Sequence, residues 1–232
     1  MILVELVPRC LETLHSEVSY LKRHIPAVDG INIPDIQRLN CRSYEAARSV
    51  RPSYLTIPHI RLVDHSLEAL VDIVSSLIDT NIMHALFVSG DAPISSSQNL
   101  YDHTVPDVIR QLKRRFPAFH FYAAFDPYRQ SLDKEFAYAE EKIQAGVDGI
   151  FSQPFFDLNL AKIVLEYFHS RTHFFVGVSP ITSEKSMRYW QNVNNVTFSP
   201  DFRYDLSTNI AFARDMVSLV TSFNQSIYFM PI

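Results

Sequence analysis

Short apolar runs alternate with amphipathic stretches from one end of the chain to the other. Runs at 2–8 (ILVELVP), 28–34 (VDGINIP), 54–62 (YLTIPHIRL) and 84–90 (HALFVSG) read as strands. The second half repeats the rhythm at 120–125 (HFYAAF), 149–156 (GIFSQPFF), 173–180 (HFFVGVSP) and 226–232 (SIYFMPI). Between them apolar residues return every three or four positions, the period of a helix with one buried face. The clearest case is 66–80, where Leu67, Leu70, Val71, Val74, Leu77 and Ile78 fall on one stripe. Further helices are predicted at 10–24, 43–50, 105–116, 132–145, 160–170, 183–192 and 207–223.

Eight strands and eight helices in strict alternation, with strands apolar on both faces, call for a parallel sheet covered by helices. Eight such units closing on themselves make a (βα)8 TIM barrel, read here as a single domain over 1–232. A doubly wound open sheet is the alternative. It would place a glycine-rich turn after the first strand, where this chain has VPRCLE.

Composition narrows the function. The 232 residues are 47% hydrophobic and 20% charged, which suits one globular core. A net charge of −4 argues against nucleic acid or an anionic membrane as partner. No 18-residue apolar window suggests a membrane span, and the first ten residues lack the basic start of a secretory leader. Cys10 and Cys41 read as free thiols of a reducing compartment, so a cytoplasmic location is expected. The nine histidines show no metal-type spacing, and no metal site is expected.

In such a barrel the chemistry gathers at the C-terminal strand ends. The polar residues there are Glu5, Asn32, His59, Arg61, Ser89, Gly90, Asp91, Asp126, Gln153 and Ser179. Glu5 interrupts an apolar strand; closed into a cavity its pKa would rise toward neutrality, whereas pairing with Arg61 would make it structural. His59 is either a ligand contact or a satisfied core histidine. Ser89-Gly90-Asp91 offers close backbone approach followed by a carboxylate, or simply a turn. Lys142, in a last helical turn, reads by itself as a surface charge complementing the helix dipole.

These residues, taken in order, resemble the methylenetetrahydrofolate reductase family along nearly the whole chain. VELVPR is similar to the family's first strand and aligns its glutamate with Glu5; IPHIRLVDHSLEAL places His59 at the histidine beside the flavin. MHALFVSGDAP aligns Asp91 with the aspartate at the flavin ring, with Ser89 and Gly90 before it. AEEKIQAGVDGIFSQPFFD is the longest similar block, matching Lys142 to a cofactor-binding lysine and Gln153 to the glutamine that contacts folate and nicotinamide. The resemblance implies a cytoplasmic oxidoreductase of one-carbon and methionine metabolism in which NAD(P)H reduces FAD and the flavin passes hydride to a methylene-folate. It implies Glu5 and Asp91 as catalytic groups, His59, Ser89, Gly90, Asp91, Phe125 and Lys142 at the cofactor, and Gln153 at the substrate.

Several positions depart from the family pattern. Its arginine before Gly-Asp is Ser89, its tyrosine and histidine after the fifth strand are Phe125 and Asp126, and its stacking aromatic is Glu184. The arginine beside its lysine is Glu141. Cations near the cofactor's diphosphate are thereby replaced by neutral or anionic groups, against simple Coulomb preference. FAD binding in the family's manner, a differently bound flavin and no flavin all stay open. So do a pterin-dependent methyl transfer, a non-catalytic barrel subunit of a one-carbon enzyme complex, and self-association.

Overall fold

The computed structural model describes residues 1–50, 54–91, 100–198 and 202–230. Its eight strands are β1 (Ile2–Glu5), β2 (Gly30–Ile33), β3 (Leu55–Arg61), β4 (His84–Val88), β5 (His120–Phe125), β6 (Gly149–Pro154), β7 (Phe174–Val178) and β8 (Ser226–Phe229). All neighbours are parallel and β8 pairs back onto β1, closing the barrel. The helices among the described residues are α1 (Leu11–His24), α2 (Ser43–Val50), α3 (Leu67–Asp79), α4 (Val105–Arg115), α5 (Leu132–Ala145), α6 (Leu158–Phe168), α7 (Glu184–Asn194) and α8 (Leu206–Ser222). The single-domain (βα)8 reading therefore holds.

Local signals start these helices where the sequence places them. Ser66, Thr104, Asp157, Ser183 and Asp205 each accept a backbone N–H of the first turn, satisfying donors a helix start leaves open.

Strand parity divides the core into three. One outward layer packs Ile31, Ile33, Ile60, Phe87 and Phe121 against Leu14, Val18, Leu70 and Val74. A second packs Phe125, Ile150, Phe174 and Val176 against Leu165, Phe168, Met216 and Val220. The barrel interior is filled by Leu3, Ile57, Leu86, Tyr122, Phe151, Phe175 and Tyr228. Phe151 and Phe175 lie face to face with centroids 3.9 Å apart, and Tyr122 meets both edge-on. Such contacts contribute about 0.5–1.5 kcal/mol each beyond their buried area. The plug fills the middle of the barrel.

Candidate active site

Because side chains alternate along a strand, the interior residues next above this plug can be read from the ladder. Leu3 faces inward, so Glu5 does too; Ile31 and Ile33 pack outward, so Asn32 faces inward; Ile57 leads to His59 and Arg61. Glu5 and Asn32 are ladder partners on β1 and β2, and Asn32 pairs in turn with Ile57 on β3.

Glu5 has no hydrogen bond or ion pair among the described residues, and burial raises its pKa to about 7. Arg61 does not serve it. That guanidinium donates from Nε to Asp64 Oδ2 at 3.0 Å and from Nη2 to the Asp91 carbonyl at 2.8 Å. Asp64 also takes Arg42 Nη2 at 2.8 Å, and Arg42 reaches Asp35 at 3.5 Å. Both arginines are thus committed to carboxylates of the β2 and β3 loops, and Glu5 stays an isolated acid able to hold a proton near neutral pH.

Two more polar groups stand unmet beside it. His59 Nε2 is buried without a partner, and burial lowers the imidazole pKa to about 3, so the ring is neutral. Asn32 is fully buried, with neither Nδ2 nor Oδ1 bonded among the described residues. Buried polar atoms are nearly always paired, so two such groups on adjacent strands, next to the unpaired Glu5, mark a place where something else completes them.

Gln153 lies on a local irregularity of β6. Phe151 pairs with Phe175 but Pro154 pairs with Gly177, so β6 carries one extra residue, a β-bulge of the kind found beside active sites. The bulge is held internally. Gly177 donates its N–H to Ser152 Oγ at 2.9 Å, and the Tyr228 hydroxyl donates to the Ser152 carbonyl. A side chain at Gly177 would meet the Ser152 carbonyl at 3.0 Å and the Pro154 nitrogen at 3.1 Å, so anything larger than glycine would press on the bulge. Gln153 is left half-buried with no hydrogen bond to the described residues.

The β4 end is more open. Ser89 and Asp91 are exposed and Gly90 sits between them at φ +90°, a left-handed conformation that favours glycine. The Ser89 carbonyl accepts Val63 N–H at 3.0 Å, tying this turn to the end of β3. Residues 92–99, the rest of the predicted polar loop, lie outside the described residues.

The β5 and α5 side differs from expectation. Phe125 is not at the mouth: it is fully buried in the outer layer against Phe136, Phe168 and Phe174. A strand apolar on both faces hides which face is inner, and the ladder turns Phe125 outward. Nor is Lys142 a surface charge. It is 3% exposed, donates from Nζ to the Ala124 carbonyl at 2.7 Å and lies 3.9 Å from the Tyr138 ring centroid. Burial lowers its pKa to about 8. Buried Glu135 on the same helix accepts Arg129 and Gln130, each at 2.8 Å, and the Asp126 N–H at 3.2 Å. Glu135 and Lys142, the buried charges described on this side, thus have their partners inside the protein. Glu184, at the position of the family's stacking aromatic, is exposed on α7 and paired with Arg188.

Among the described residues no group of three or more His, Cys, Asp or Glu is placed to hold a metal. No described helix is long and apolar enough to cross a membrane. Two site features carried little signal in the sequence. Asn32 showed only as a polar strand end, and Tyr228 was masked by the apolar run around it.

A model of the methylenetetrahydrofolate reductase family matches residues 43–217, three quarters of the chain. The chain belongs to that family. No curated protein matches it. Solved structures share the fold at low identity. 2,3-Dimethylmalate lyase, a PEP mutase/isocitrate lyase superfamily member, is 11% identical over 99% of this chain and 75% of its own, with a TM-score of 0.61. Oxaloacetate acetylhydrolase is also 11% identical, over 99% and 74%, at 0.59. The putative copper homeostasis protein CutC from Streptococcus agalactiae is 12% identical over 99% and 98%, at 0.57. At such identities the likeness speaks to the barrel alone. Glu5 and Asn32 precede the stretch the family model matches.

Proposed function

We propose that this barrel reduces 5,10-methylenetetrahydrofolate to 5-methyltetrahydrofolate, with NAD(P)H as the source of electrons and a flavin as carrier, in one-carbon and methionine metabolism. The observation that carries the reading is Glu5, an unpaired acid with a pKa near 7 at the inner end of β1 in a member of this family. Reductive opening of the methylene bridge needs a proton on the nitrogen that leaves and a hydride on the methylene carbon. Glu5 supplies the proton, so the C–N bond breaks and the bridge becomes an iminium at the other nitrogen. Asp91 faces that cation with a carboxylate, and Gln153 orients the pterin through a carboxamide that both donates and accepts.

The unmet His59 Nε2 fits a flat ring carrying donors and acceptors. His59, Ser89, Gly90 and Asp91 would hold a flavin ring there. When bound, a flavin supplies hydride transfer between the nicotinamide and the methylene carbon. Lys142, which the resemblance assigns to the cofactor, is closed off by Ala124 and Tyr138, and Phe125 lies in the outer core. This favours a second reading, a flavin-free reduction or pterin-dependent methyl transfer at the same mouth.

The absorbance spectrum of the purified protein, followed by anaerobic titration, separates the readings. Flavin bands that bleach with NADH or NADPH and return on adding methylene-folate support the first. A colourless protein that binds folate supports the second, and one that binds neither sinks both.

A further inference from the structure

Asn32 has no role in the reading above, yet its side chain is among the least satisfied of the described buried polar groups. It is 0% exposed, and both atoms of its carboxamide lack partners among the described residues. Burying an amide without partners costs stability, and a chain gains nothing from it unless a ligand completes the pairing. Its outward neighbours Ile31 and Ile33 fix the strand's facing, and its ladder partner Glu5 lies beside it. On the other side, His59 stands one interior position beyond Ile57, its ladder partner on β3.

We propose that Asn32 is a specificity-determining residue that binds the ligand's ring edge directly. Its carboxamide pairs with an edge carrying an N–H next to a carbonyl, the lactam edge shared by reduced pterins and flavins. The surrounding groups divide the work. Protonated Glu5 offers one donor and ionised Glu5 only acceptors, while neutral His59 offers a single site at Nε2. Of these neighbouring groups, only the Asn32 amide presents donor and acceptor together whatever the protonation state, as a lactam requires. A ligand with an apolar edge at this depth would leave both amide atoms unmet and is disfavoured for that reason. The inference rests on the folate-reduction reading and adds to it the residue that reads the ring.

The test uses Asn32→Ala, which removes both polar atoms without adding volume, and Asn32→Leu, which fills the space with apolar atoms. Binding of 5-methyltetrahydrofolate and of FAD or FMN is titrated on wild type and both variants, alongside thermal unfolding. We expect both variants to bind one of the two probe classes roughly 10–100-fold more weakly, as loss of paired buried hydrogen bonds implies. Their melting temperature should stay level or rise by about 2–4 °C, because an unmet buried amide has been removed. Weaker folate binding with flavin retained assigns the edge to the pterin; the reverse assigns it to the flavin. Wild-type affinity for both probes in both variants overturns the role of Asn32 and leaves the folate reading standing. A large fall in melting temperature with binding intact shows a structural amide, which also overturns it. A wild type that binds neither probe removes the folate reading and this inference together.

Discussion

The two sides of the barrel mouth hold similar numbers of polar side chains but treat them in opposite ways. On the β1–β3 side, Glu5, Asn32 and His59 face the interior with groups that no described residue meets. On the β5–α5 side, Glu135, Lys142 and Asp126 are locked into bonds with Arg129, Gln130, Tyr138 and backbone carbonyls or amides. Both kinds of burial cost desolvation, but only the second is offset within the protein. The contrast separates a surface kept open for a ligand from a polar network that has become part of the scaffold. The proposed proton donor lies on the open side, and the lysine that the resemblance assigns to the cofactor has turned inward.

The largest effect should come from Glu5→Gln. Substitution should lower the folate half-reaction by roughly 10²–10⁴-fold, the usual contribution of a general acid, while leaving reduction of bound flavin by NADH intact. Rapid mixing resolves the two half-reactions, and equal loss of both would make Glu5 structural. Lys142→Met tests the opposite side. A scaffold lysine predicts a stability loss of about 1–3 kcal/mol in urea unfolding, because the Ala124 carbonyl loses its donor, with flavin affinity nearly unchanged. Intact stability with flavin affinity down tenfold or more would restore Lys142 to the cofactor site.

A smaller effect concerns pH. His59, near 3, and His84, near 4, are lowered by burial, so the unfolded chain binds more protons and stability falls as pH drops from about 6.5 through these values. Glu5, raised to about 7, acts the other way, and stability falls as pH rises from 4.5 to 7. Between pH 4.5 and 6.5 the trends oppose. Removing the acid in Glu5→Gln should therefore make stability climb more steeply with pH than in wild type, as urea midpoints across that window would report. An unchanged slope would mean Glu5 titrates normally. The smallest effect is expected at Glu184→Ala, whose exposed pair with Arg188 is worth under about 0.5 kcal/mol. Turnover should not change, and a marked loss would bring α7 into the site.

Much of the fold was legible because it rests on local signals. Strands apolar on both faces, helical stripes such as Leu70, Val74 and Leu77, and caps such as Ser66 all survive into the structure. Glu5 and His59 were legible as polar interruptions of apolar strands. What was not legible depends on register and tertiary contact. Phe125 and Ala124 look interchangeable in HFYAAF until the ladder decides which faces inward. The Lys142 position, late in a helix, favours solvent until Tyr138 and the end of β5 close over it. The bulge that contains Gln153 depends on Gly177 and Tyr228, 24 and 75 residues further along the chain. No local pattern announces that partnership.

The role proposed for Glu5 is that of an isolated acid kept protonated near neutrality for a ligand. Its most direct test is the titration of the Glu5 side-chain carboxyl, followed by carbon-13 NMR and assigned by comparison with Glu5→Gln. The account predicts a midpoint near pH 7 in the folded protein. A midpoint at the ordinary glutamate value, near 4.3, would contradict it.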